Sequence, residues 1–103
     1  TLAAFIIFSK KKLDVLILEV GLGGRLDAVN IIDSDVSIIT NIGLDHTAIL
    51  GNDIEKIALE KSGVMRKNKP TIIGYSEIQN SVIKYSKKIG SNLSIFNKLT
   101  SIF

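Results

Sequence analysis

The sequence has no cysteine, no tryptophan, one proline and one histidine in 103 residues. Without cysteine there is no disulfide, no thiolate metal site and no cysteine nucleophile. Aromatic residues make up 6% of the chain, too few among the lysines to stack bases. The lysines cluster at Lys10–Lys12, Lys67/Lys69 and Lys84/Lys87/Lys88. At a net charge of +3 they read as solvated surface, with no nucleic acid as partner. No apolar run approaches the ~20 residues that cross a bilayer, so no membrane partner is expected. The run Leu2–Phe8 has no basic residue ahead of it and no small-residue cleavage site after it, unlike a signal peptide.

What is present is apolar. Hydrophobic residues make up 46% of the chain, and mean hydropathy is +0.32. A chain of this length fits at most one small domain, which buries roughly two-thirds of its unfolded surface. Part of this apolar content is therefore expected to pack against sequence beyond the chain.

Strand-like and helix-like segments alternate. Residues 2–11 read as the end of a helix. Val15–Val20 is a nearly continuous apolar run, the pattern of a strand buried on both faces. Asp35–Thr40 reads as a second strand. Asp53 is placed to cap a helix over 54–66. Pro70 precedes a short strand, TIIG (71–74). Glu77–Ile89 is an amphipathic helix, with Ile78, Val82, Tyr85 and Ile89 on one face and Lys84, Lys87 and Lys88 away from it. A further strand is expected at 93–96. This rhythm predicts an α/β fold, a parallel sheet with flanking helices. Ligands in such sheets bind beyond the carboxyl ends of the strands. Glu19 and the segment NIGLDH (Asn41–His46) both lie there.

The glycine cluster EVGLGGRLDA (Glu19–Ala28) fails the phosphate-loop signature, because Arg25 and Leu26 follow Gly23-Gly24. It also fails the dinucleotide fingerprint, whose third glycine would fall at Leu26. An acidic-x-G-x-G-x-G loop of methyltransferase type is met by Glu19, Gly21 and Gly23, but not by Arg25. A tight turn leaving a buried strand explains the glycines as well.

Three polar residues break local rules. Glu19 interrupts LILEV, where a buried carboxylate is costly without a cation. Its alternation with Val15 and Ile17 gives it a core-facing or cleft-facing position. His46 follows Asp45 in a loop, and imidazole with carboxylate is a common pairing at divalent metals. Lys61 falls on the face made by Ile54, Ile57, Ala58 and Met65. A lysine there snorkels, pairs with an acid, or loses its charge. A neutral amine can react with carbon dioxide to give a carbamate, an anion able to bind metal. On the residues alone, snorkelling is the simpler outcome.

EVGLGGRLDAVN (Glu19–Asn30), NIGLDHTAILG (Asn41–Gly51) and IALEKSGV (Ile57–Val64) together closely resemble folylpolyglutamate synthase/dihydrofolate synthase. That family belongs to the Mur ligase-like, ATP-dependent amide ligases. The resemblance runs from about Ala3 to Ile95, and the three motifs keep the family's order and spacing. It implies that Glu19 binds magnesium (Mg2+), that His46 binds a second magnesium, and that Lys61 is carbamylated. It implies also that Asp27, with Ala28 beside it, contributes to a pterin-side pocket. The family's D-A-T-N reads DAVN here, so Val29 lacks the hydroxyl.

The implied reaction is ATP-dependent. A substrate carboxylate becomes an acyl phosphate, and the amine of L-glutamate displaces phosphate to form an amide on dihydropteroate or a folate. The resemblance further implies a cytoplasmic, monomeric parent protein. The family's upstream phosphate loop and smaller C-terminal domain are not in this chain. Residues 1–103 are therefore expected to be a central part of the ATPase domain, inactive alone. Two other readings stand beside it. One is an S-adenosylmethionine- or dinucleotide-binding half-domain, which leaves His46 and Lys61 unexplained. The other is a non-catalytic α/β interaction module.

Overall fold

The computed structural model describes residues 1–43, 53–74 and 78–96. Among them, three parallel strands form one sheet: β1 (Ser37–Ile39), β2 (Pro70–Ile73) and β3 (Asn92–Ile95), in the order β1-β2-β3. Ser37 pairs with Thr71, which pairs with Leu93, and Ile39 pairs with Ile73, which pairs with Ile95. Helix α1 (Leu2–Ser9) precedes the sheet. Helix α2 (Ile54–Ser62) links β1 to β2, and α3 (Asn80–Ile89) links β2 to β3. The α/β class expected from the alternating pattern is what forms.

Each helix starts and stops for a local reason. Asp53 caps α2, its Oδ1 accepting the Glu55 amide at 2.9 Å, as its position predicted. Helix α2 ends at Ser62, four residues short of the expected 66, because the chain turns at Gly63. Helix α3 ends at Gly90, which adopts φ +78°, a left-handed cap that glycine enters without steric cost. Glu55 of α2 also reaches the start of α3. Its Oε2 accepts the Ser81 amide at 3.0 Å, and its carbonyl accepts the Ser81 hydroxyl at 3.0 Å. The Ser81 hydroxyl and amide, aided by the Asn80 amide, hold the Glu55 carboxyl below its ordinary range.

The core lies between α2/α3 and one sheet face. It consists of Ile39, Ile57, Ala58, Met65, Ile73 and Val82, with Ile78, Tyr85, Ile89 and Leu93 packed against it. Helix α3 starts at Asn80, so Ile78 of the expected face packs on the core from the segment before it, while Val82, Tyr85 and Ile89 form the helix face that the periodicity predicted, with Lys84, Lys87 and Lys88 exposed. Buried polar groups are bonded. Ser37 Oγ donates to the Val64 carbonyl at 2.8 Å, tying β1 to the turn after α2.

The expected strand at Val15–Val20 does not form. The segment is irregular, and Val15 and Ile17 are 73% and 88% exposed. A strand needs a hydrogen-bonded neighbour, and an apolar strand needs two covering layers. The described residues supply neither here, so the apolar pattern has nothing to fold against. The second sheet face is likewise open, with Ile38 64% exposed. Among the described residues, no helix is long and apolar enough to cross a membrane.

Candidate functional site: a glycine segment docked on a helix end

After residue 20 the chain turns through Gly23 (φ +71°) and Gly24 (φ +151°), both in the region that L side chains avoid. Gly24 then lies against the last turn of α2. A Cβ at Gly24 would sit 2.8 Å from the Glu60 carbonyl oxygen and 3.1 Å from Lys61 Cα. Gly63 gives the reciprocal fit, since a Cβ there would lie 2.6 Å from Arg25 Cα. Each segment therefore owes its closeness to the other's glycine.

Hydrogen bonds lock the contact. The Arg25 amide donates to the Glu60 carbonyl at 2.8 Å. The Arg25 guanidinium donates twice to Glu60 Oε1, from Nε at 3.1 Å and Nη2 at 2.9 Å. Asn30 Nδ2 donates to the carbonyls of Arg25 (3.1 Å) and Gly63 (3.0 Å). Arg66 closes the far side. Its Nη1 donates to the carbonyls of Gly63, Val64 and Met65, its Nη2 to Asn30 Oδ1 at 3.0 Å, and its Nε to Asp33 Oδ1 at 2.7 Å. The Arg25 amide thus meets a carbonyl of α2's last turn, and Arg66 bonds the carbonyls of the turn that follows it.

Asp27 organises the loop itself. Its Oδ2 accepts the Gly21 and Leu22 amides at 3.0 and 2.9 Å. Its Oδ1 accepts the Val29 amide at 3.0 Å, capping a short 3-10 turn, Ala28–Ile31. The Leu22 amide first, then that of Val29, with Gly21 adding less, hold the carboxyl below its ordinary range against some loss of solvation. A lowered pKa stabilises the fold above the unfolded aspartate's value, and this contribution is lost as pH falls through the folded value. Asp27→Asn keeps only one accepting oxygen. Urea unfolding of the full-length protein at pH 7 should lose about 1 kcal/mol. The acid limb below about pH 4 should also flatten, because the titrating group is gone.

Lys61 lies one turn beyond the fully buried Ile57 and Ala58 and is half-buried. Its main chain is thus held between the core and the glycine segment. Glu19 was expected to face a core or cleft. It is exposed, as are Val15 and Ile17, because no sheet partner orients that segment. His46 belongs to residues 44–52, outside the described residues. Thr40–Gly43 lead toward it from the carboxyl end of β1. Among the described residues, no group of three His, Asp or Glu side chains is placed to hold a metal ion. A groove of about 350 Å³ lined by Phe5, Phe8, Leu13, Leu16 and Ile32, with Lys11 at its rim, involves none of the candidate residues.

The dinucleotide or S-adenosylmethionine reading is not favoured by this geometry. Such loops leave their glycine faces open to a ligand and lead into a helix N-terminus. Here the glycine face is filled by Glu60 and Lys61, and the loop leads into a four-residue 3-10 turn. In the sequence Arg25 stands out only by spoiling the glycine patterns, and Arg66 belongs to no motif. A basic residue just past a helix-ending glycine was the available signal for Arg66.

No family model matches the chain. The dihydrofolate synthase/folylpolyglutamate synthase of Buchnera aphidicola subsp. Acyrthosiphon pisum is 61% identical to it over 88 residues, covering 85% of this chain and 21% of the relative. Escherichia coli FolC in complex with DHPP and ADP superposes with a TM-score of 0.88 at 48% identity, covering 91% of this chain and 23% of that one. A bifunctional folylpolyglutamate synthase/dihydrofolate synthase with Mn, AMPPNP and L-glutamate bound gives 0.84 at 51% identity, with coverage of 91% and 23%. The chain spans about a fifth of the length of the curated relatives it matches.

Proposed function

The chain belongs to the dihydrofolate synthase/folylpolyglutamate synthase family, and from that we propose that its parent protein is an ATP-dependent ligase joining L-glutamate to dihydropteroate, to folates, or to both. Residues 1–103 are the central part of its ATPase domain and are inactive alone. The parent acts as a cytoplasmic monomer with neither nucleic acid nor membrane as partner. One observation carries this reading. The glycine motif and the EKSG helix end, whose contacting residues are 33 or more apart in sequence, interlock residue against residue.

The donor set suits a hard divalent cation. Glu19 offers carboxylate oxygen, His46 offers imidazole, and a carbamylated Lys61 offers two further oxygens. Glu19 is exposed and Lys61 half-buried, so both side chains reach solvent. Glu19 would hold one magnesium and His46 a second, and these ions would supply charge neutralisation for the phosphates and polarisation of the transferring phosphoryl group. Lys61 becomes a carbamate when its neutral Nζ attacks carbon dioxide, forming an N–C bond and losing a proton. Its carboxylate then orients metal or substrate.

The substrate carboxylate takes the γ-phosphoryl group of ATP and releases ADP. The L-glutamate amine attacks the acyl carbon, phosphate leaves, and the amine proton passes to solvent. Asp27 acts on the pterin side by shaping the loop, since both of its oxygens already hold main-chain amides. Ala28 beside it lines that side without bulk.

The test is glutamate ligation by the full-length protein across magnesium and ATP concentrations. Glu19→Ala and His46→Ala should each raise the magnesium needed for half-maximal rate by about tenfold or more. If neither variant alters ligation or metal dependence, the assignment fails. Ligation by the isolated 103-residue chain would refute its proposed inactivity.

A further inference from the structure

We propose that Arg25 is a positioning residue: by fastening the glycine segment to the last turn of α2, it fixes where Lys61 stands. The proposal rests on the role given to Lys61 above. The main chain is tied on both sides of that lysine. Immediately before it, Glu60 receives the Arg25 amide on its carbonyl at 2.8 Å and the Arg25 guanidinium on its carboxylate at 2.9 and 3.1 Å. Two residues after it, the Gly63 carbonyl accepts Asn30 Nδ2, which also donates to the Arg25 carbonyl. Lys61 itself presses on Gly24, the residue before Arg25.

The carbonyls of Glu60, Lys61 and Ser62 accept the amides of Gly63, Val64 and Met65 in the turn that follows, but a helix end held only in this way opens locally at little cost. Lys61 occupies that last turn, one residue before the helix stops. Arg25 converts it into a fixed platform. The same segment carries Asp27, whose oxygens hold the amides of Gly21, Leu22 and Val29, so the contact also ties the lysine's turn to that loop.

Stability and catalysis should separate here. The Arg25–Glu60 pair is partly solvated, with side chains 51% and 28% exposed, and exposed ion pairs contribute little to folding. A misplacement of about 1 Å in a reacting group, by contrast, can cost up to roughly 100-fold in rate.

The test is Arg25→Ala in the full-length protein. Its melting temperature should stay within about two degrees of the parent's, while kcat for ligation falls about tenfold. KM values for ATP and L-glutamate should stay within about twofold. In carbon-13 NMR with labelled bicarbonate, the variant should need several-fold more bicarbonate for half-occupancy of the Lys61 carbamate. Combining Arg25→Glu with Glu60→Arg should recover much of the kcat that each single change loses. The proposal is overturned if Arg25→Ala leaves kcat and bicarbonate dependence unchanged. It is overturned equally if the loss of kcat merely follows a loss of folded protein, or if the swap recovers nothing. Lys61→Ala in parallel separates the two levels. No loss of ligation in Lys61→Ala removes the role of the lysine. A loss there with normal kcat in Arg25→Ala removes only the positioning role.

Discussion

Gly63→Ala should destabilise the full-length protein by about 2 kcal/mol, although alanine is the better helix former. Gly63 has φ −61°, so its backbone conformation suits any residue. Propensity alone would favour alanine by about 0.8–1 kcal/mol. The methyl group decides the sign. It would lie 2.6 Å from Arg25 Cα, and main chain cannot rotate away as a side-chain tip can. Overpacking of this kind costs about 1–3 kcal/mol, and here it would also strain the Arg25–Glu60 and Asn30–Gly63 bonds. The control is Gly43→Ala, where none of the described residues lies within 4 Å of the new methyl group. Urea unfolding should show a lowered midpoint for Gly63→Ala and little change for Gly43→Ala. Equal midpoints for the two variants would contradict the interlock.

Lys61→Ala should reduce glutamate ligation on the order of 100-fold with little change in stability. The side chain is half-buried and caps no helix, so its removal leaves the main-chain contacts of the α2 end intact. The rate loss has the size expected when a preorganised charged group is removed from a phosphoryl-transfer site. A carbamate ends in the same two oxygens as a carboxylate. Millimolar formate or acetate should therefore restore part of the activity of Lys61→Ala, and do nothing for the parent protein. Ligation by the parent should also depend on dissolved carbon dioxide. If Lys61→Arg retains full activity, a permanently cationic side chain suffices and the carbamate is ruled out.

Much of the fold was legible because its signals are local. Asp53 capped its helix where the pattern placed it, Gly90 stopped α3, and the Ile78/Val82/Tyr85/Ile89 stripe faced the core. The strand over 15–20 was not legible in the same way. Its apolar pattern states only that the segment is to be buried, and burial requires partners that no local signal supplies. Glu19 shares that fate, for its orientation depends on the strand that would carry it.

The sequence by itself determined the alternation of elements and the failure of the glycines as a phosphate loop, and its resemblance to a family is what proposes the set Glu19, His46, Lys61 and Asp27. Only the tertiary structure decided what the glycines do. Gly24 and Gly63 are far apart along the chain, and nothing in either neighbourhood announces the other. Their missing Cβ atoms acquire meaning when two backbones meet, and that meeting is long-range. The same holds for Arg66, whose long-range partners lie on the loop around Asn30 and Asp33. Local propensity and periodicity are written along the chain, whereas close approach between distant segments becomes visible only once the chain has folded.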